Sequence, residues 1–339
     1  MKDKPLPLGK LPYALLGDML DRFGARTDPR VVMGPRFGED AAVIEMPDCY
    51  LVTKTDPVTF ATEDIGWYAV NVNANDIATR GASPKWFMAT VLLPESGATE
   101  SLVESIFSQI RRACDDLNVT VVGGHTEVTH GLDRPIVSGC MLGEVAKDGL
   151  VTTSGAKPGD AVILTKGIVI EGTAIIAREK KAELCRLGYG EDYLKICADF
   201  LYTPGISVVK DALIAADVGV SAMHDPTEGG LAAGLYEIAE ASGVGIHVDR
   251  RNIPLLMEAE ILCGEYGLDP MGTLTSGTLL IAAPPENADS IGERLNTAGI
   301  RSAVIGEVRD RDYGLKIGAG GRETELAFSS RDEITRIFE

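Results

Sequence analysis

Apolar and polar positions alternate with a changing period that divides the chain into two stretches. Residues 9–24 carry apolar side chains at 11, 15, 16, 19, 20 and 23, a helical period closed by Gly24. Two strands are predicted at 41–46 and 49–54, then a helix from an Asp64 N-cap to Gly81 and a strand at 86–93. Thr99 starts an amphipathic helix whose apolar stripe is Leu102, Val103, Ile106, Phe107, Ile110 and Leu117. The strands "VTVVGG" and "PIVSGCMLGEVA" complete this half.

The pattern breaks at "DGLVTTSGAKPGD" (148–160), a Gly/Ser/Thr-rich stretch with a Pro-Gly turn. The strand "AVILTK" follows. Helices near 171–181, 191–202, 206–216, 229–242 and 285–298 then alternate with strands near 220–224, 245–249, 278–282 and 302–308. This predicts an α+β domain over residues 1–150 and an α/β domain over 151–339.

With 339 residues, each half is long enough to bury a core. The 32 basic and 50 acidic side chains give a net charge of −18, which repels nucleic acid and anionic membranes alike. A polyanionic substrate would need a divalent cation or converging N–H groups to overcome that field. The six cysteines form no CxxC pair, as expected of reduced thiols. "MKDKPLPLGK" has no apolar core of a signal peptide, and no apolar run reaches the roughly 20 residues that span a bilayer. The expected location is cytoplasmic.

Four stretches depart from ordinary core or surface patterning. In "GEDAAVIEMPDCYLVTKTDPVTF" (38–60), acidic residues stand beside two strands that otherwise read as core. Turn chemistry would explain Gly38 and Asp40; oxygen ligands for a hard metal ion would explain Asp40 and Asp56 together. In "NVNANDIATRGA", Asn71, Asn73, Asn75 and Asp76 are poor helix formers inside an apolar helix. Asn73, Asp76 and Arg80 share one face, so either a solvated Asp76–Arg80 pair or a buried site is implied. "VVGGHTEVTHG" ends a strand in Gly123-Gly124, whose exposed N–H groups suit a phosphate. His125, Glu127 and His130 do not have zinc-site spacing, and His125 reads better as a polar contact beside a nucleotide. A fourth stretch, "MHDPTEGGLAAGLYEIAEASG" (223–243), opens a helix with Asp225, Thr227, Glu228 and Gly229-Gly230, either a plain cap or an anion site.

Taken in order, from about Gly38 to about Gly306, these motifs resemble the AIR synthase-related superfamily. It includes the purine cyclo-ligase, thiamine-phosphate kinase, selenophosphate synthetase and the hydrogenase maturation factor HypE. The resemblance implies a homodimer whose N-terminal halves share a β-barrel, and ATP held through Mg²⁺. By motif matching it assigns Asp40, Asp56 and Asp76 to the metal. Lys54, Thr55, Asn73, Gly123, Gly124, His125, Thr126 and Glu127 are assigned to the nucleotide. The implied chemistry phosphorylates a carbonyl or amide oxygen, or a small acceptor, with ADP as product. A maturation partner protein is a further implication.

The layout around "DIGWYAVNVNANDIATRGASPKWF" is closest to HypE, with departures. Gly-His-Thr replaces Gly-Asp-Thr at His125, and "LTSGTLL" leaves Ser276 where HypE has its catalytic glutamate. The HypE tail ends in a reactive cysteine, whereas here "RDEITRIFE" carries Ile334, Ile337 and Phe338 on one helical stripe. A docked terminal helix is therefore expected, in a HypE-related paralogue. A protein that holds ATP without turning it over, and a docking factor for metallocentre proteins, are the competing classes.

Overall fold

The computed structural model describes residues 6, 11, 13–23, 28–36, 38–59, 63–329 and 331–339. Helix α1 (Tyr13–Phe23) precedes strands β1 (Val31–Met33), β2 (Ala42–Glu45) and β3 (Cys49–Val58). Then come α2 (Ile65–Ala78), β4 (Ser83–Pro94), α3 (Glu100–Asp116), β5 (Thr120–Thr129) and β6 (Ile136–Ala146). These strands form one six-stranded sheet in the order β1-β2-β3-β6-β4-β5. All its pairs are antiparallel except β4 and β5, which run parallel because α3 carries the chain back between them.

The second half contains β7 (Ala161–Thr165), α4 (Ile170–Glu179), α5 (Lys181–Arg186), α6 (Glu191–Ala198) and α7 (Val209–Val218). Beyond them lie β8 (Ala222–His224), α8 (Gly230–Ser242), β9 (Gly245–Asp249), α9 (Met257–Tyr266), β10 (Leu280–Ala283) and α10 (Pro285–Thr297). Strands β11 (Ser302–Arg309), β12 (Leu315–Ala319) and β13 (Arg322–Glu325) complete a seven-stranded sheet, ordered β13-β12-β9-β11-β7-β10-β8. The alternation of helices and strands is thus realised in a mostly antiparallel sheet, with β12 and β9 its parallel pair.

Every residue of helix α2 except Val72 is buried. It belongs to a core that takes Phe87, Ile106 and Met141 from the first half and Ile163, Ile206 and Ile281 from the second. Asp64 stands at its N-cap position as expected, but in a left-handed conformation that aims the carboxylate away from the helix. That carboxylate accepts instead from Arg178 Nη1 of α4 at 2.6 Å. Thr99 does cap α3, accepting from Leu102 N at 3.2 Å. Within the α3 stripe Ile106 and Ile110 are buried while Phe107 faces solvent. Helix α1 forms over most of the expected span, yet Leu16 and Phe23 are exposed. No helix among the described residues is long and apolar enough to cross a membrane.

The predicted tail helix is a short 3₁₀ turn, Glu333–Phe338. Ile334 and Ile337 are buried in the second core, whereas Phe338 is 62% exposed and does not share their burial. Asp332 fixes the segment, accepting from Gly229 N at 2.6 Å, Ile334 N at 2.8 Å and Leu274 N at 3.1 Å. The start of α8 is therefore capped by the protein's own carboxylate. Gly230 (φ +65°) permits this close packing, since a Cβ there would stand 2.6 Å from Met271 O.

Candidate functional site

Glu39 and Asp40, adjacent in sequence, have separate jobs. Glu39 turns to the segment between the halves and accepts from Thr153 N at 3.2 Å, Ser154 N at 3.3 Å and Ser154 Oγ at 2.7 Å. It also pairs with Arg80, which is fully buried at the end of α2. Arg80 Nη2 donates to Thr153 Oγ1 at 2.7 Å and Met223 O at 3.2 Å, and approaches Asp40 Oδ2 at 3.5 Å. One guanidinium thus ties α2, the linker and β8 together. Asp40 faces the second half, where His224 Nδ1 donates to its Oδ2 at 2.9 Å. Gly38 (φ +75°) lets this loop lie against α8, because a Cβ there would meet Ala241 Cβ at 3.0 Å.

Lys54, Thr55 and Asp56 lie within β3, which runs on to Val58 beyond its predicted end at 54. Lys54 Nζ sits 3.0 Å from Asp76 Oδ2 and 3.3 Å from Asp56 Oδ2. Asp76 projects from α2 and is buried, so it pairs with Lys54 and not with Arg80. The asparagines beside it bind backbone. Asn73 Oδ1 accepts from Asp56 N at 2.8 Å while its Nδ2 donates to Ala69 O and Asp56 O, so it pins β3 to α2. Asn75 clasps the second half, donating to Ile206 O at 2.9 Å and accepting from Val208 N at 2.8 Å. Asn71 donates to Trp67 O. Buried amides need such partners, which accounts for polar residues that helix propensity alone disfavours.

The charges sharpen one another. Burial opposes ionisation of Asp40, but His224, Arg80 and Lys54 hold it well below the usual carboxylate range. Burial pushes Asp76 well above that range despite Lys54, with Asp225, Asp40 and Asp56 adding to the effect. Asp225, directly after β8, is pushed up to about 7 by burial and then by Asp40. Lys54 is raised because Asp76, Asp56 and Asp40 outweigh its burial. Four carboxylates crowd this place, and a bound divalent cation would relieve their repulsion.

Among the described residues, the group whose ligand atoms all come within 4.8 Å of one another is Asp40, His224 and Asp225. Asp225 Oδ1 is buried and has no hydrogen-bond partner. Asp40 thus meets Asp225 and His224, whereas Asp56 and Asp76 close on Lys54. The sequence reading placed Asp225 at a helix start and left out His224 and Glu237. The available signal was His224-Asp225 closing a buried apolar strand.

The β5 residues lie elsewhere in the protomer. Asp56, Gly139, Ala89 and Gly124 form one row across β3, β6, β4 and β5. Three strand spacings separate its ends, roughly 14 Å. Gly123, Gly124, His125, Thr126 and Glu127 are all exposed, and His125 Nε2 lies 3.1 Å from Glu127 Oε2. Thr55 Oγ1 is engaged within the sheet, donating to Gly139 O at 2.7 Å. His130 pairs with Glu95 at the surface.

Residues 38–145 match the family described as "AIR synthase related protein, N-terminal domain", and 157–317 match its C-terminal domain. The chain belongs to the AIR synthase-related family. Its similarity to "Carbamoyl dehydratase HypE" of Rhizobium leguminosarum bv. viciae is 32% identity over 316 residues, 89% of this chain and 86% of that one. The HypE-HypF complex contains a chain of the same fold, with TM-score 0.76 and 22% identity over 94% of this chain and all of that one. HypE solved in complex with ATP gives TM-score 0.72 and 23% identity, covering 97% and 98%. The two-domain AIR synthase fold and the HypE-like character expected from the motifs are therefore both present.

A buried carboxyl outside this cluster remains. Glu171, in the first turn of α4, is pushed up to about 7 by burial, with the Ser276 side chain acting in the opposite direction. The Ser276 loop reaches the cluster's edge, because Thr275 N donates to Thr227 O at 3.3 Å.

Proposed function

We propose that the protein is a Mg²⁺- and ATP-dependent, ADP-forming enzyme that phosphorylates a carbonyl or amide oxygen of a small or protein-borne acceptor. The observation that carries this reading is Lys54 held between Asp56 and Asp76, beside Asp40 and the unpartnered Asp225 oxygen. Asp40, Asp56, Asp76 and Asp225 would hold divalent cations, Mg²⁺ among them, which would neutralise charge developing on the transferred phosphoryl group. Lys54 supplies a fixed positive charge for phosphate oxygens once the carboxylates turn to metal. Arg80 keeps the two halves in register around that cluster, a positioning role. The relative that carries a carbamoyl dehydratase name and the HypE solved with ATP support a role in hydrogenase metallocentre maturation.

In this reading the working unit is a homodimer. Among the described residues the first sheet ends at β1 and β5, and Asp40 lies near the β1–β2 edge. Closing a barrel with a second copy would set that copy's β5 against this edge, which brings Gly123–Glu127 toward the acidic cluster. The HypE-HypF structure supports a second, different partner protein. Incubation with Mg-ATP and a panel of amides, amines and carbamoylated thiols tests the chemistry. Acceptor-dependent ADP is expected, whereas AMP, or no turnover with any acceptor, would contradict it.

A further inference from the structure

We propose that Asp40, Asp225 and His224 form a cation position of mixed oxygen and nitrogen character, which takes Mn²⁺ or Co²⁺ in preference to Mg²⁺. It rests on the reading of Asp40 and Asp225 as metal ligands, but it requires no nucleotide. His224 stands in the stretch 223–243, but the expected metal set of Asp40, Asp56 and Asp76 contains no imidazole.

Three observations converge. Donor atoms of the three residues already lie within 4.8 Å of one another, so small side-chain rotations suffice to close them on an ion. Asp225 Oδ1 is buried without a partner at this place, a cost that an ion would remove. The third concerns the imidazole, which is 5% exposed and held from behind, with Nε2 2.7 Å from Glu237 Oε2 of α8. A carboxylate on Nε2 fixes the ring and leaves Nδ1 as the coordinating nitrogen, the arrangement typical of metal-bound histidines. When an ion binds, the Nδ1 proton leaves to solvent and the nitrogen lone pair replaces the hydrogen bond to Asp40. Arg80 and Lys54 border the position, and Glu39, Asp76, Asp56 and Glu237 offset their charge.

Ion preference follows from donor chemistry. Mg²⁺ favours oxygen and keeps much of its water, whereas first-row transition ions also accept an imidazole nitrogen beside carboxylates, Mn²⁺ more weakly than Co²⁺. A Mg²⁺ on Asp56 and Asp76 would leave this position for a second, softer ion.

The test uses the full-length protein, stripped with chelator and without nucleotide. Mn²⁺ is titrated calorimetrically and the bound ion is examined by pulsed EPR for coupling to imidazole nitrogen. Wild type is expected to show that coupling and to bind Mn²⁺ at least about tenfold tighter than Mg²⁺. Glu237→Gln should retain the coupling and bind Mn²⁺ about ten- to a hundredfold more weakly. His224→Gln should lose the coupling and the preference together, with Mg²⁺ binding changed less than about twofold. Mn²⁺ bound without nitrogen coupling, equal affinity for the two ions, or no Mn²⁺ binding in the wild type would each overturn the proposal. A protein that binds Mg-ATP but shows no nitrogen coupling rejects the imidazole site alone. Nitrogen coupling without nucleotide binding rejects the nucleotide reading alone.

Discussion

Strand β10 is buried at all four positions between β7 and β8, while β5 is exposed at every position but Thr129. The helices of the two halves differ as well. Helix α8 is buried with Leu231, Leu235 and Ile238, whereas α2 is buried with three asparagines, Asp76 and, just past its end, Arg80. The second sheet ends on the polar, exposed β13, whereas the first ends on β5, whose exposed positions include Val121, Val122 and Val128. The buried amides of α2 all find backbone partners, and the β5 edge lies in the same sheet as Lys54 and Asp56. The candidate site nevertheless draws on both halves, with Asp40, Lys54, Asp56 and Asp76 from the first and His224 and Asp225 from the second.

The largest expected effect falls on the open edge. Val122 and Val128 of β5 are 52% and 57% exposed, unusual for apolar residues in a ten-residue strand. Replacing both with Lys should convert a sedimenting dimer into a monomer at micromolar concentration, because charged edges resist pairing. A wild-type protein that sediments as a stable monomer would remove the asymmetry between the halves.

Next in size is the tie between them. Arg80→Ala leaves Glu39 buried without its cation and Asp40 without a near neighbour, a loss on the order of 3–5 kcal/mol in urea unfolding. A cost below about 1 kcal/mol would mean that the halves hold together without this hub.

A smaller, pH-dependent effect tests the second half. Glu171 titrates near 7 when folded and near its ordinary 4.5 when unfolded, so the folded state binds the proton more tightly. Its stabilising contribution is therefore full below 4.5 and is lost as pH rises through 7. Glu171→Gln should flatten this loss and raise stability at pH 8 by up to roughly 3 kcal/mol, with little gain at pH 4. Thermal melts at the two pH values give the comparison. The smallest effect is at the tail, where deleting residues 337–339 removes one buried side chain, Ile337, and should cost about 1–2 kcal/mol. Nucleotide affinity of the folded, truncated protein should be unchanged.

Much of this division could be read in the chain. The helical and β periods located most elements of both halves, because each buries one face. Helices α5 and α9 and strands β1, β12 and β13 were missed. The α9 sequence "MEAEILCGEY" has no single apolar stripe, and "RETE" of β13 is polar and exposed throughout. Within the site, the odd polarity of α2 was visible, but its meaning was not. Asn75 binds Ile206 O, 131 residues away, and His224 meets Asp40 across 184 residues. Local spacing carries no record of such pairings. Motif order marked Asp40, Lys54, Asp56 and Asp76 as special, and Lys54 does join the last two. The cap at the start of α8 was legible as an anion site, yet its occupant, Asp332, comes from the far end of the described chain.

The central claim is that carboxylates of the first half, with Lys54, bind a nucleotide through a divalent cation. Calorimetric titration of a non-hydrolysable ATP analogue tests it most directly, with Mg²⁺, with chelator, and with Asp76→Asn in Mg²⁺. Saturable binding in Mg²⁺, lost with chelator and weakened at least about a hundredfold in the variant, is the predicted result. Equal affinity in all three would contradict it.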